Sequence, residues 1–170
     1  WQGVMHPPKF GGQGLPKLIS MACLEMVNSA NLSFALCPLL TDGAIEALLQ
    51  QLAELQEQYV PKMISGEWTG TMNLTEPQAG SDLSMVRSRA VPEGDGTYKI
   101  FGTKIFITYG EHDMAKNIGH LVLARTPDAP EGGRTRFDSQ LMLIDTQCTS
   151  LRSPSEPSAF TKNLGTTNNE

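Results

Sequence analysis

With 170 residues, the chain is long enough for one medium domain or two small pieces. A formal net charge of −5, with 39 % hydrophobic and 18 % charged residues, argues against a protein that binds nucleic acid by neutralising phosphates. No apolar run approaches the roughly 18 residues of a membrane-spanning helix, no signal-peptide pattern is visible, and because the chain opens on Trp1 its true start is expected upstream.

Residues 1–14 are dense in Gly and Pro and read as loop. Leu15, Leu18, Ile19, Ala22 and Met26 then recur at helical spacing, which predicts a helix from about Pro16 to about Asn28. A short apolar segment runs from Phe34 to Leu40. Thr41-Asp42-Gly43 reads as the start of a further helix, with Asp42 capping it through a side-chain oxygen. Ile45, Leu48, Leu49 and Leu52 form its apolar stripe, and Pro61, Lys62 and Gly66 mark its closing region. After Gly66 the helical period stops. Thr71–Thr75, Tyr98–Phe101, Lys104–Thr108, Leu121–Arg125 and Leu141–Asp145 read as strands, and Glu93-Gly94-Asp95-Gly96 as a hairpin turn. Helices followed by antiparallel strands predict an α+β fold. Thr149–Glu170, rich in Ser, Thr, Pro and Asn, reads as a disordered tail.

Single residues add little chemistry. Cys23, Cys37 and Cys148 are odd in number and lack ligand spacing, so they read as free thiols in a reducing compartment. His6, His112 and His120 are too scattered for a metal site. Arg87, Arg89 and Lys99 read as solvated surface, and the eight Met residues as core filler.

Two runs carry more. Thr75-Glu76-Pro77-Gln78-Ala79-Gly80-Ser81-Asp82 is a polar loop leaving a strand. Pro77 fixes the turn, Gly80 permits close backbone approach, and Thr75 and Ser81 offer hydroxyls. Gly102-Thr103-Lys104-Ile105-Phe106-Ile107-Thr108-Tyr109-Gly110 reads as a strand with Ile105 and Ile107 on one face, and Phe106 and Thr108 on the other. An aromatic beside a hydroxyl can pack on a ring and hydrogen-bond its edge. By composition alone, an ordinary turn and an ordinary half-buried strand remain open readings.

Together the runs resemble the flavin-contacting stretches of the acyl-CoA dehydrogenases: Thr-Glu-Pro, any residue, Ala-Gly-Ser-Asp, then Lys, two variable positions, Ile-Thr, one residue, Gly. Gly11-Gly12-Gln13-Gly14-Leu15-Pro16, Tyr59-Val60-Pro61-Lys62 and Ser65-Gly66-Glu67-Trp68 are also similar to landmarks of that family. Met72-Asn73-Leu74-Thr75 and Tyr109-Gly110-Glu111-His112-Asp113 are similar to its large branch with an extended C-terminal region. The resemblance spans roughly Trp1 to Pro130 and weakens beyond.

The resemblance implies an FAD-dependent enzyme that removes hydrogen from the α and β carbons of an acyl-CoA thioester. It implies the later part of an all-α N-terminal domain over 1–66. An incomplete antiparallel β-barrel or sandwich would span 67–148, with a divergent tail over 149–170. Met72, Leu74 and Thr75 would line the pyrimidine side of FAD. Ser81 would lie where FAD and acyl-CoA meet, and Phe106, Ile107 and Thr108 would flank the rest of the ring, with Thr108 near N5. Most members carry Trp where this chain has Phe106. The resemblance places the catalytic base, normally Glu, in a C-terminal helical domain outside these residues, and gives Glu76 a structural role. Expected partners are acyl-CoA, an electron-transferring flavoprotein and, at full length, further copies of the chain. The expected location is bacterial cytoplasm or the mitochondrial matrix. A truncated, non-catalytic flavin- or partner-binding protein and an acyl-CoA oxidase are the competing readings.

Overall fold

The computed structural model describes residues 2–51, 53–94, 97–127, 139–145 and 161–163. It is α+β: three helices, α1 (Lys17–Ala30), α2 (Leu32–Leu48) and α3 (Ala53–Ile64), precede six strands. The strands are β1 (Trp68–Asn73), β2 (Arg89–Pro92), β3 (Tyr98–Phe101), β4 (Asn117–Arg125), β5 (Ser139–Asp145) and β6 (Thr161–Asn163). The chain divides into two compact units, one of residues 1–71 and 108–118, the other of 72–107 and 119–170.

In the first unit the core is set by α2 and α3. Ala35, Cys37, Ala44, Ile45 and Leu48 of α2 are buried, as are Leu55, Tyr59, Val60, Met63 and Ile64 of α3. Asn31 separates α1 from α2: its extended backbone ends one helix, and its side chain accepts the Phe34 N–H at 3.0 Å to cap the next. Trp68 is buried at the start of β1, its ring tilted on Tyr59 and covered by the Lys62 ammonium 4.0 Å from the ring centre. Gly70 lets β1 approach α2, because a Cβ there would lie 2.4 Å from that of Ala44.

The expected helix break at Thr41-Asp42-Gly43 is absent. α2 runs straight through it, past Pro38 as well. Thr41 turns its hydroxyl to the Cys37 carbonyl at 2.9 Å and accepts the Gly70 N–H at 3.1 Å. Asp42 is not a cap: its Oδ1 faces the fully buried His6 Nε2 at 2.6 Å and accepts from Gln2 Nε2 at 3.1 Å. The expected single helix from Asp42 to the Pro61 region is two, α2 ending at Leu48 and α3 beginning at Ala53, with Pro61 inside α3. Leu52, placed on the apolar stripe, lies outside the described residues.

The strands form a six-stranded mixed sheet in the order β3-β2-β4-β5-β6, with β1 pairing to β4 off that path. The expected antiparallel barrel or sandwich is therefore corrected to an open, partly parallel sheet. β2 meets β4 parallel through Arg89 and Arg125, while β2–β3, β4–β5 and β5–β6 are antiparallel. In the second unit Ala90, Ile100, Val122 and Ala124 pack into a small apolar cluster with Tyr98 against it. β3 coincides with the predicted strand, and the hairpin register Pro92↔Tyr98 fits the predicted turn, of which Asp95 and Gly96 lie outside the described residues. Lys104–Thr108 is not a strand. Thr161–Asn163, within the stretch read as a tail, pairs with β5, and the remainder of 149–170 lies outside the described residues. Among the described residues, no helix is long and apolar enough to cross a membrane. Cys23 and Cys37 are free thiols, and burial pushes the Cys37 thiol up.

Candidate functional site

The two informative runs meet in the second unit. The loop that follows β1, Leu74–Asp82, and the one that follows β3, Gly102–Ile107, are stitched backbone to backbone. The Ile105 N–H donates to the Thr75 carbonyl at 2.9 Å. Next to that bond the Lys104 ammonium donates to the Leu74 carbonyl at 3.0 Å and to Glu76 Oε1 at 2.8 Å. The first loop is closed on itself by reciprocal 3.0 Å bonds between the backbones of Glu76 and Ala79, which Pro77 and Gln78 span as a turn.

Glu76 is the hub of this arrangement and only 3 % exposed. Besides Lys104, its Oε1 accepts the Ser88 N–H at 3.0 Å and the Ser88 hydroxyl at 2.6 Å. Its Oε2 accepts the Arg87 N–H at 2.8 Å and a Gln78 side-chain N–H. Burial by itself would favour the neutral acid. The donors from Lys104, Ser88 and Arg87 outweigh it and hold the carboxyl at about 2. A carboxylate that acidic, with both oxygens engaged, is poorly suited to take a proton from a substrate. Lys104 is pulled the other way: burial lowers its pKa, and Glu76 opposes that only in part. The ammonium nevertheless sits 2.8 Å from a carboxylate that stays ionised, so the charged pair is the state the geometry holds.

Gly102 makes room for the hub. Its φ of +154° and its contact both require glycine, since a Cβ there would lie 2.2 Å from the Ser88 hydroxyl oxygen. Downstream, Phe106 takes a left-handed backbone, φ 59°, and its ring is 86 % exposed. An aromatic side chain in that conformation is strained by roughly 1–3 kcal/mol and displayed to solvent, an arrangement that occurs at ligand clamps.

The structure brings Leu74 and Thr75 together with Lys104 and Ile105, directly before Phe106 and Ile107. Met72, Leu74, Thr75 and Ile107 are half-buried, and Phe106 is open. Among the described residues the Thr75 hydroxyl has no hydrogen-bond partner. Ser81 is exposed at the far end of its loop, beside Asp82, which caps a short turn by accepting the Ser84 N–H at 3.0 Å. Thr108 is exposed and opens a turn that belongs to the first unit. Half-buried apolar groups, an open aromatic face and an uncommitted hydroxyl suit a flat heteroaromatic ligand with a polar edge. Among the described residues, no group of three or more His, Cys, Asp or Glu could hold a metal ion.

Sequence reasoning gave no role to Ser88, nor to Gly102 and Lys104 although both stand in the second run. The available signal was a charge heading the otherwise apolar run Ile105-Phe106-Ile107, which in a half-buried segment demands a partner.

No family model matches the chain. It is 64 % identical over 135 residues to a 3-methylmercaptopropionyl-CoA dehydrogenase of Ruegeria pomeroyi, covering 79 % of this chain and 23 % of that protein. It is 48 % identical over 120 residues to a butyryl-CoA dehydrogenase of Syntrophomonas wolfei, covering 69 % and 20 %. In structure it resembles a chain from work on the electron transferring flavoprotein of Acidaminococcus fermentans. There the TM-score is 0.74 at 25 % identity, over 85 % of this chain and 36 % of that one. The chain thus spans less than a quarter of these two curated relatives.

Proposed function

This chain is homologous to a segment of the acyl-CoA dehydrogenases, and we propose that it is the FAD-contacting part of an enzyme that converts acyl-CoA thioesters to 2-enoyl-CoA. The observation that carries this reading is the stitch between the two loops, Ile105 N–H to Thr75 carbonyl and Lys104 to Leu74 and Glu76. It assembles from distant parts of the sequence one rim bearing apolar, aromatic and hydroxyl groups.

On this reading Met72, Leu74 and Thr75 hold the polar pyrimidine edge of the flavin, Thr75 through its free hydroxyl. Phe106 and Ile107 shield the ring, and Thr108 donates toward its redox-active edge. Ser81 meets both the cofactor and the acyl thioester. Phe106 keeps the apolar face of an indole but lacks its N–H donor, which alters the ring's surroundings without uncovering it. Bound flavin would supply the two-electron acceptor that protein side chains lack. Glu76 and Lys104 remain structural, and the proton acceptor is assigned to a part of the enzyme beyond these residues. The 3-methylmercaptopropionyl-CoA and butyryl-CoA dehydrogenases point to acyl-CoA as the substrate class, and the flavoprotein likeness to an electron-transferring flavoprotein as acceptor.

The test is an anaerobic titration of the FAD-loaded full protein with butyryl-CoA and 3-methylthiopropionyl-CoA. Bleaching of the flavin's visible band together with enoyl-CoA formation is expected. A protein that holds flavin but stays coloured is a binding module, and one that takes up no flavin refutes the reading.

A further inference from the structure

The turn that follows Thr108 is anchored in an unusual way. Within the first unit, Tyr109 has a left-handed backbone, φ 54°, and its hydroxyl donates to the Ser33 carbonyl in the first turn of α2 at 2.5 Å. Its ring meets the edge of the His112 imidazole at 5.6 Å between centres and 73° between planes. Both nitrogens of that imidazole are engaged. Nδ1 accepts the Met114 N–H at 3.1 Å. A backbone N–H can only donate, so Nδ1 is the bare nitrogen and the proton sits on Nε2. Nε2 then donates to the Thr69 hydroxyl on β1 at 3.0 Å.

We propose that His112 is a positioning residue for the flavin site: it clamps the 108–114 turn to β1, and with Tyr109 to α2, and so fixes Thr108. The inference rests on the reading that Thr108 contacts flavin. The arrangement has the marks of a positioning device. The imidazole is half-buried, its tautomer is set by the backbone, and its two bonds reach different segments, the turn itself and a strand. The strained Tyr109 conformation persists because both of its neighbours hold it. A solvated surface histidine would need none of this.

Three variants of the full protein dissect the clamp. His112→Phe keeps the ring packing on Tyr109 and removes both hydrogen bonds. His112→Asn retains an acceptor where Nδ1 sits, and His112→Gln retains a donor where Nε2 sits. Hydrogen exchange of the 108–114 peptide is measured in flavin-free protein, and FAD affinity and the fine structure of the flavin absorption band in loaded protein. His112→Phe should exchange about tenfold faster, bind FAD about tenfold more weakly and blur the band, each being the loss expected for a removed hydrogen bond or two. His112→Asn should recover part of both losses. Unchanged exchange in His112→Phe overturns the clamp. Faster exchange with unaltered FAD affinity and band shape overturns the positioning role. Wild-type protein that binds no FAD refutes the proposed function instead, and the exchange measurement still decides the clamp.

Discussion

Lys104 takes a charge into a place where burial disfavours it, and it stays because Glu76 is there with every other lone pair already satisfied. Removing one partner is therefore worse than weakening an exposed pair. Lys104→Met should cost about 3–5 kcal/mol in denaturant unfolding. The same pair sets an acid limit. The Glu76 carboxyl sits at about 2 in the fold against an ordinary 4.5, so its contribution is complete above about pH 4.5 and is lost as pH falls from there toward 2. Denaturation midpoints should decline across that window in the wild type, and the decline should be shallower in Lys104→Met, whose carboxylate has lost its cation and lies nearer its ordinary value. A flat profile below pH 4.5 in the wild type would contradict the geometry. Gly102→Ala tests the same hub from the side. Its Cβ has to displace the Ser88 hydroxyl from Glu76 and adopt φ +154°, so a loss of about 2 kcal/mol or more is expected by thermal unfolding. None of these contacts was legible residue by residue. Glu76 and Lys104 lie 28 positions apart, and only the charge of Lys104 at the head of an apolar run hinted that a partner was needed.

Among the elements, those whose pattern is local were readable and those decided by distant contacts were not. The periodicity of Leu18, Ile19, Ala22 and Met26 gave α1 within a few residues, and the run Tyr98–Phe101 gave β3. Lys104–Thr108 alternates like a strand, yet Gly102 and Phe106, both at positive φ, bend the backbone out of extension and Lys104 turns inward to Glu76. Thr41-Asp42-Gly43 looks like a helix start for good reason, since such residues favour caps. Here Thr41 bonds back to Cys37 and reaches Gly70, and Asp42 is taken by His6 and Gln2, so the helix continues. This makes Thr41 the tie between α2 and β1. Thr41→Val keeps the shape and strands the Gly70 N–H, which has no other acceptor shown. A loss of about 1–3 kcal/mol in chemical denaturation is expected. A neutral result would mean that the helix passes the cap-like triplet for reasons of packing alone.

At the scale of the whole chain, what it displays is as telling as what it buries. α1 contributes no buried residue, and Leu18 on it is 78 % exposed, with Met21 and Met26 also open. Three of the seven residues proposed to touch the cofactor or its substrate, Ser81, Phe106 and Thr108, are likewise exposed, and the other four are only half-buried. A ligand that rests on exposed groups buries little of its own surface, and small-molecule sites that bind tightly enclose most of theirs. The first two curated relatives are more than four times the matched length, and on the proposed function the rest of such a protein would enclose the cofactor. The 170 residues expressed alone should therefore take up FAD weakly, with the cofactor lost on gel filtration and a fluorescence titration that needs FAD far in excess of protein. Phe106→Ala should weaken even that residual binding, because the ring is the largest apolar surface the rim presents. Recovery of the isolated chain with one tightly held FAD would show that these residues enclose the ring without further protein, and would overturn its placement on exposed groups.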